Sequence, residues 1–311
     1  MSNLKKDNIY ISFVIPAYEE GNDVKGFLKE LVDEIEKMNK DCEIIFLDGD
    51  TKNNSQKTLE EMKKNHRFIQ YHVLHHPGVA VVDKANKYNK GFELAKGKYI
   101  VQMDADGQDV PKEVPKFIEK LDEGYDMVTG WKQKRKDSFF YKLTSKFFNK
   151  LTMKLTGVHV HDMNNGFKAY KSHVAKSLNL KGGYFRFIPL ILTKHGYIIT
   201  EVPVEHRKRA FGKGKFSFIS RSKGIFDLIS LLMVLKMNGA PFYFFGWGGL
   251  IFFLKGIILL ILSFFLYYTY ELYFLGIFLL VFSSISLLLS SLMIILGIIV
   301  EYFRFYEKNN G

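Results

Sequence analysis

Short apolar runs alternate with segments of helical periodicity in the first part of the chain. The runs "ISFVIPAY", "CEIIFLD" and "KYIVQMD" are rich in β-branched and aromatic residues and end at polar turns, a pattern typical of buried strands. Strands that alternate with helices predict an α/β domain with a parallel sheet covered on both faces. Ligands bind such sheets beyond the carboxyl ends of the strands. Apolar residues recur at helical spacing in "DVKGFLKELVDEIEKM", at Val24, Phe27, Leu28, Leu31, Val32 and Ile35.

The last part of the chain is almost uniformly apolar. From Phe242 to Val300 the charged residues are Lys255 and Glu271. The connector around Glu271 divides the stretch into two segments, each longer than the roughly 20 residues that span a bilayer. We therefore predict a two-helix transmembrane hairpin over residues 241–303. Lys255 inside the first helix indicates a contact between helices or subunits, so a homo-oligomer is left open.

The distribution of charge predicts the orientation in the membrane. The chain has a net charge of +12, and basic and acidic residues balance from residue 241 onward, so the excess lies before the hairpin. Basic residues near membrane segments mark the cytoplasmic side, and the start "MSNLKKDNIY" lacks the apolar core of a signal peptide. We expect a cell membrane protein, or an ER membrane protein in a eukaryote, with the catalytic domain and both termini cytoplasmic. The single cysteine, Cys42, excludes a disulfide within the chain.

Two carboxylates follow the third apolar run in "VQMDADGQDVP". Asp104 and Asp106 can turn toward one point, and a cation makes their proximity favourable because uncompensated like charges would raise one pKa. Hard oxygen ligands suit Mg²⁺ or Mn²⁺. The alternative is that both aspartates cap the helix that opens near Pro111. We favour the metal because the pair follows a buried strand.

Other polar residues follow the first two strands. Pro16, Ala17, Tyr18 and Glu20 lie in "FVIPAYEE", and Asp48 and Asp50 lie in "FLDGDTKNNS". A carboxylate at a strand end can accept bonds from a base or a ribose hydroxyl, and Tyr18 can stack on a ring. Turn formation explains each of these residues equally well.

A series of motifs in order gives the chain a family resemblance: "FVIPAYEE", the Asp-Gly-Asp turn, "DKANKYNKG", "MDADGQ", "NNGFKAY", "RFIPLIL", "EVPVEHRKRAFGKGKFS" and the hairpin. The chain resembles the family 2 glycosyltransferases of GT-A fold that act on polyprenyl phosphates, the dolichyl-phosphate mannose synthase and undecaprenyl-phosphate glucosyltransferase group. The resemblance implies inverting transfer of a hexose from a UDP- or GDP-sugar to dolichyl or undecaprenyl phosphate. It also implies that Asp104, Asp106 and nearby Gln108 bring the metal to the donor pyrophosphate. Ala105, between the two aspartates, is expected to contact the nucleotide sugar.

Basic residues are expected to stabilise the charge that develops on the leaving β-phosphate. The candidates are Lys84, Arg207, Arg209, Lys213 and Lys215, where Gly212 and Gly214 let the backbone fold closely over a phosphate. The alternative is a solvated basic loop or one attracted to anionic lipid.

The acceptor needs positioning more than activation, because a phosphate monoester with a second pKa near 6 is already largely dianionic at neutral pH. Lys132, Arg135 and Arg186 are the candidates that would hold it. Asp162, in "HDMNNGFKAY", would orient the acceptor or a donor hydroxyl, or would form an Asx turn. The predicted catalytic residues are Asp162, Asp106 and Arg186.

Residues 139–157 combine an apolar stripe with lysines at every fourth position and predict an amphipathic helix in the membrane interface. Residues 218–240 predict a juxtamembrane helix, with core packing as the alternative for either segment. The predicted domains are thus the catalytic domain at 1–217, this juxtamembrane helix, the hairpin at 241–303 and a cytoplasmic tail at 304–311.

Three other functions compete with transfer to a polyprenyl phosphate. A processive polysaccharide synthase usually carries a Gln-x-x-Arg-Trp motif, and neither Trp131 nor Trp247 ends such a motif here. Transfer to a glycerolipid remains open. A non-catalytic nucleotide-binding membrane subunit is disfavoured because both metal carboxylates are present. We expect no nucleic-acid partner.

Overall fold

The first unit of the chain is built around a seven-stranded mixed sheet with the strand order β3-β2-β1-β4-β6-β5-β7. A computed structural model describes residues 9–17, 23–48, 55–66, 68–73, 83–133, 149–150, 152–154, 156–205, 207, 218–236 and 241–310. The chain divides into two compact units, Met1–Ile229 and Ser230–Gly311. The strands are β1 (Ile11–Ala17), β2 (Cys42–Asp48), β3 (Ile69–Val73), β4 (Tyr99–Gln102), β5 (Met127–Lys132), β6 (Lys168–Lys171) and β7 (Ile199–Val204).

Most helices of the described residues alternate with the strands along the chain, and the last three come after the final strand. Short 3₁₀ turns occupy Pro111–Glu113 and Gly182–Phe187. The α-helices are α1 (Asp23–Met38), α2 (Ser55–Asn65), α3 (Lys84–Leu94), α4 (Val114–Asp122), α5 (Ser172–Lys176), α6 (Ile188–Lys194), α7 (Phe218–Lys236), α8 (Pro241–Thr269) and α9 (Tyr273–Asn310).

The strands predicted from the sequence are confirmed, and both faces of the sheet are buried. Alternate residues of β1 point to opposite faces, so Phe13 packs in one core and Val14 in the other. The first core includes the apolar face of α1, and the second includes Tyr88 and Phe92 of α3. Helix α3 lies close to the sheet because Gly91 has no Cβ, which would overlap Val14.

The predicted parallel arrangement is confirmed for the three strands read from the sequence, and one further strand, β6, departs from it. β1, β2, β3 and β4 are parallel neighbours, and β5 and β7 are also parallel. β6 lies between β4 and β5 and runs antiparallel to both, with Gln102 opposite Lys168. The start of β6 therefore reaches the same edge of the sheet as the end of β4. This strand direction places the residues just before β6 beside the loop that carries Asp104.

In the second unit, α8 and α9 pack against each other through small residues. Ser263 and Ser283 donate hydrogen bonds to the carbonyl oxygens of Gly276 and Gly256 over 2.6 Å and 2.8 Å. A Cβ on Gly256 would lie 2.7 Å from Leu287 Cδ2. Small residues and interhelical hydrogen bonds are the usual means of close helix packing in a membrane. The predicted pair of long apolar helices is confirmed: Pro241–Thr269 and Tyr273–Phe303 are long and apolar enough to cross a bilayer.

Candidate active site

The carboxyl ends of β1, β2 and β4 meet at one edge of the sheet, as expected for parallel neighbours. Ala17 and Asp48 are register partners at this edge, and both are buried. Pro16 precedes Ala17 within the buried strand. Lys87 of α3, itself buried, donates a hydrogen bond of 2.6 Å to the Ala17 carbonyl. Sequence reasoning missed Lys87, which fixes the end of β1 in place.

The loop after β4 presents its two predicted carboxylates in different environments. Asp104 Oδ1 lies 2.7 Å from Lys84 Nζ and accepts a 3.3 Å hydrogen bond from the Tyr88 hydroxyl. Asp106 is buried, and its Oδ1 accepts a 3.1 Å bond from the Gln108 backbone N–H. Ala105 between them packs into the core. Lys84 thus lies beside Asp104, its role at a donor phosphate stays a prediction, and the two acids flank Ala105, which anchors the loop in the core.

Neither aspartate caps the helical turn that follows. The Pro111–Glu113 turn begins after Val110, and no side chain bonds to its amino end. The next helix, α4, begins after Glu113 and also lacks a side-chain cap. The capping alternative is therefore wrong, although Asp106 does close a local turn onto Gln108.

A third carboxylate of this loop, Asp109, was missed from the sequence. Asp109 is buried, its Oδ2 accepts a 3.2 Å bond from the Asp104 backbone N–H, and its Oδ1 lies 3.2 Å from Lys132 Nζ. Burial raises the pKa of Asp109, and the charges of Asp104 and Asp106 raise it further, against the effect of Lys132. Asp109 thus ties the loop to β5 through Lys132.

Three lysines balance the acids around the loop. Burial would raise the pKa of Asp104, but Lys84, with Lys132 and Lys168, holds that pKa below its usual value. Burial would lower the pKa of Lys132, yet Asp109, Asp162 and other nearby acids raise it. The site is therefore an alternating cluster of positive and negative groups, with Lys132 among the acids.

Residues just before β6 close one side of this cluster. Gly166 lies so near Asp104 that a Cβ on it would overlap the carboxylate, and its carbonyl accepts a 3.0 Å bond from Gln102 Nε2. The buried Asn165 donates from Nδ2 to the Gly130 carbonyl, and its Oδ1 accepts a 3.0 Å bond from the Phe167 N–H. Gly166 thus creates the space in which the Asp104 side chain sits.

Asp162 and Lys168 lie on the same segment. Both are buried, and Lys168 Nζ donates to the Asn165 carbonyl. Burial lowers the pKa of Lys168 to about 8, and the charge of Asp162 opposes that change. The Asp162 carbonyl accepts a 3.3 Å bond from the Asn165 N–H, so this segment also forms a turn. Asp162 therefore lies close enough to influence both Lys132 and Lys168.

The residue before Asp162 is clamped on two sides. The His161 ring stacks on Trp131, with ring centres 4.0 Å apart, and its Nδ1 contacts a carboxylate oxygen of Glu201. The other Glu201 oxygen accepts a 2.9 Å bond from the His161 backbone N–H. Sequence reasoning missed this clamp, which joins residues distant along the chain.

The two described arginines of the prediction have acidic partners. Arg186 Nη1 lies 2.9 Å from Asp227 Oδ2. The Arg207 backbone pairs with Gln108, whose Nε2 donates to the Arg207 carbonyl over 3.3 Å, while the Arg207 guanidinium bonds to Glu30 of α1 at 2.7 Å.

Several predicted residues lie outside the described residues. They are Tyr18, Glu20, Asp50, Arg135, Arg209, Lys213 and Lys215, together with most of the proposed interface helix at 139–157.

A divalent cation fits the chemistry of the loop. Within the part of the chain that the structure describes, no three His, Cys, Asp or Glu side chains are arranged to hold a metal. Asp104 and Asp106 nevertheless offer hard oxygen ligands, and Mg²⁺ is commonly bound by one or two carboxylates together with substrate phosphates. The missing Cβ of Gly166 leaves room for the Asp104 carboxylate in its present position.

Comparison with known proteins identifies the class. Residues 12–178 match the glycosyl transferase family 2 domain, which is more than half of the chain. The chain is therefore a glycosyltransferase, and it belongs to glycosyl transferase family 2. This result confirms family 2, and membership of the polyprenyl-phosphate group within that family stays a prediction.

Solved structures confirm the GT-A fold. The chain is similar to mannosyl-3-phosphoglycerate synthase from Rubrobacter xylanophilus, with a TM-score of 0.58, 14% identity and coverage of 74% of this chain and 75% of that chain. It is also similar to glucosyl-3-phosphoglycerate synthase from Mycobacterium tuberculosis in complex with Mn²⁺, UDP-glucose and phosphoglyceric acid. That similarity has a TM-score of 0.56 and 18% identity over 71% of this chain and 79% of that chain.

Proposed function

We propose that this protein transfers a hexose from a UDP- or GDP-hexose to dolichyl or undecaprenyl phosphate, with inversion at the anomeric carbon. The products are a polyprenyl-phosphate sugar and a nucleoside diphosphate. The observation that carries the proposal is the presence, in one chain, of a family 2 domain and two apolar helices long enough to cross a bilayer. An enzyme fixed at a membrane meets an acceptor that lies in that membrane.

The donor would occupy the carboxyl edge of the sheet. Asp48 ends β2 and Asp104 follows β4, the two strands that flank β1, and Lys84 bonds to Asp104. Departure of the nucleoside diphosphate develops negative charge, which Lys84 would stabilise from a fixed position. Arg207 is paired with Glu30, so its guanidinium would have to leave Glu30 before it could bind a donor phosphate.

Asp104 and Asp106, with Gln108, would hold Mg²⁺ or Mn²⁺. The Mycobacterium tuberculosis structure bound Mn²⁺ with UDP-glucose, which supports a divalent cofactor for this fold. Such an ion, when bound, neutralises charge on the donor pyrophosphate. Lys84 would then share the Asp104 carboxylate or contact a phosphate oxygen itself.

The acceptor would need no strong base. Its phosphate is already a nucleophile at neutral pH, so the protein has to hold it in line with the donor. Lys132, Arg135 and Arg186 are our candidates for holding the phosphate. Asp162 is our candidate for orienting the acceptor or a sugar hydroxyl. Asp162 is buried beside two lysines, which supports a fixed orientation for its carboxylate.

We place the enzyme in the cell membrane, or in the ER membrane of a eukaryote, with the catalytic unit and both termini cytoplasmic. The excess of basic residues before the hairpin supports this orientation. The amphipathic segment 139–157 would hold the site against the lipid surface. A homo-oligomer stays a prediction, and Lys255 is exposed on the hairpin where a second copy could contact it.

The competing acceptor is a soluble phosphorylated compound, because the similar solved structures are synthases of glycosyl-3-phosphoglycerates. The purified full chain should be incubated with labelled UDP- and GDP-hexoses, Mn²⁺, and one of four acceptors: undecaprenyl phosphate, dolichyl phosphate, a glycerolipid or 3-phosphoglycerate. We expect label in the polyprenyl phosphate alone. Label in 3-phosphoglycerate or the glycerolipid would replace the proposed acceptor, and no transfer from any donor would contradict an active transferase.

A further inference from the structure

Arg186 is a mostly buried cation outside the acidic loop. Its side chain is 16% exposed, and its guanidinium carbon lies 4.7 Å from the centre of the Phe185 ring. Burial lowers the pKa of Arg186, and the nearby charge of Asp227 opposes that change. Because an arginine stays charged in proteins, a buried guanidinium requires an anion beside it. In this structure the anion is Asp227 of α7.

The contact between Arg186 and Asp227 is single and partly open to solvent. One guanidinium nitrogen meets one carboxylate oxygen at 2.9 Å, and Asp227 is 26% exposed. The pair borders a pocket of about 290 Å³ lined by Gly182, Gly183, Phe185, Arg186, Phe226 and Asp227. The Phe226 ring is 69% exposed at this pocket. The pocket thus presents a cation, a replaceable anion and an apolar ring.

Gly183 allows the acidic side chain to reach the arginine. A Cβ on Gly183 would overlap the Asp227 carboxylate and would lie 2.7 Å from Arg186 Nη1. Any larger residue would therefore separate the pair.

The pocket is linked to the donor side through one aromatic ring. Lys84 Nζ lies 5.7 Å from the centre of the Phe185 ring, which also contacts the Arg186 guanidinium. Lys84 in turn bonds to Asp104. The Phe185 ring thus lies between an anion held by Arg186 and Lys84, which is expected to bind the donor.

We propose that the pocket at Arg186 is the binding site for the acceptor's phosphate monoester, and that Asp227 is an internal anion which this phosphate displaces. The inference rests on the proposed function and adds Asp227 as a residue that tunes acceptor affinity. A phosphate dianion carries twice the charge of a carboxylate and can bind the guanidinium through two oxygens, so it competes effectively. The exposed Phe226 ring is available to the first apolar units of a lipid acceptor.

Opposite effects of two neutral substitutions distinguish this role from a structural ion pair. Asp227→Asn should lower the acceptor KM about threefold or more, because it removes the competing charge. Arg186→Gln should raise the acceptor KM at least tenfold, and the donor KM should be unchanged in both variants. Glu123→Gln, at an exposed pair with Lys120, is the matched control.

Binding should be measured separately, so that the outcome is independent of catalysis. The full chain in detergent should bind undecaprenyl phosphate with an affinity that decreases in the order Asp227→Asn, wild type, Arg186→Gln, whereas binding of undecaprenol should not distinguish the three. Competition by 3-phosphoglycerate at similar concentrations would instead assign a soluble phosphate monoester to the pocket. If both substitutions weaken binding, or neither changes it, the inference is wrong. Ordered binding without sugar transfer would refute the proposed function alone.

Discussion

Gly166→Ala is a substitution that should damage activity far more than folding. The new Cβ would overlap the Asp104 carboxylate and would lie 2.8 Å from its Cγ. Ordinary carbon contacts need about 3.5 Å or more, so the carboxylate must shift by close to 1 Å. Asp104 is a short side chain with 29% exposure, so it can turn away without disturbing the core.

The shift would separate Asp104 from Lys84 and from any ion shared with Asp106. A misplacement of about 1 Å at a reacting site can reduce the rate about 100-fold. That factor corresponds to about 2.7 kcal/mol of transition-state stabilisation. We therefore expect kcat/KM for sugar transfer to fall about 100-fold, while overpacking lowers the free energy of unfolding by about 1 kcal/mol.

The assay combines transfer kinetics, Mn²⁺ binding in the presence of nucleoside diphosphate, and thermal unfolding in detergent. Gly26→Ala is the matched control, because nothing lies within 4 Å of a Cβ at that helical position. It should keep full activity and gain up to about 1 kcal/mol of stability. Normal activity and Mn²⁺ affinity in Gly166→Ala would refute the argument that Asp104 must occupy this space.

Three further predictions address the acids, the buried lysine and the hairpin. Asp106→Asn should abolish turnover with folding intact, because the amide can still accept the Gln108 N–H bond but binds a cation poorly; unimpaired turnover would remove Asp106 from the metal site. The pKa of Lys168 is lowered from 10.5 to about 8, so its charge destabilises the folded state most below pH 8, and stability returns as the pH rises to 10.5. Relative to Lys168→Met, the free energy of unfolding of the wild type should therefore rise by up to about 3 kcal/mol between pH 8 and 10.5. Denaturant titrations in which the two proteins show the same change of unfolding free energy with pH would contradict this sign. Gly256→Leu should weaken packing between α8 and α9 and lower the detergent melting temperature, whereas Gly246→Leu, whose Cβ would meet only Phe242 ring atoms from 3.8 Å, should not; equal melting temperatures would argue against close packing at Gly256.

Much of the fold follows from local pattern. The apolar runs that predict strands correspond to β1, β2 and β4, because buried strands carry continuous apolar residues. The hairpin is equally local, since 59 residues with two charges leave few alternatives to apolar helices. The direction of β6 was not predictable in this way. Four residues, "KAYK", carry no signal that distinguishes parallel from antiparallel pairing.

The candidate site was predictable only where its chemistry is contiguous along the chain. Asp104 and Asp106 are visible as a pair after a strand. Gly166 is not, because its role depends on a contact with a residue 62 positions earlier, made possible by the antiparallel β6.

Buried charges were missed for a related reason. Lys168 lies in a short strand whose charged ends suggest an exposed edge, yet the structure buries it between β4 and β5. Asp227 is the one acidic residue of α7, and its partner Arg186 is 41 residues away. Hydrophobic periodicity predicts which face of a helix or strand is buried, but it does not predict which residue from a distant part of the chain will contact that face.

Mass spectrometry of the lipid fraction measures directly whether this protein attaches a hexose to a polyprenyl phosphate. The full chain in detergent would be incubated with undecaprenyl phosphate, Mn²⁺ and each hexose donor in turn, with Gly166→Ala as the impaired control. We expect a lipid heavier than the acceptor by one hexose residue, an equal amount of nucleoside diphosphate and, by NMR of the isolated product, inverted anomeric configuration. An unchanged lipid fraction with every donor, or a product with retained configuration, would contradict this expectation.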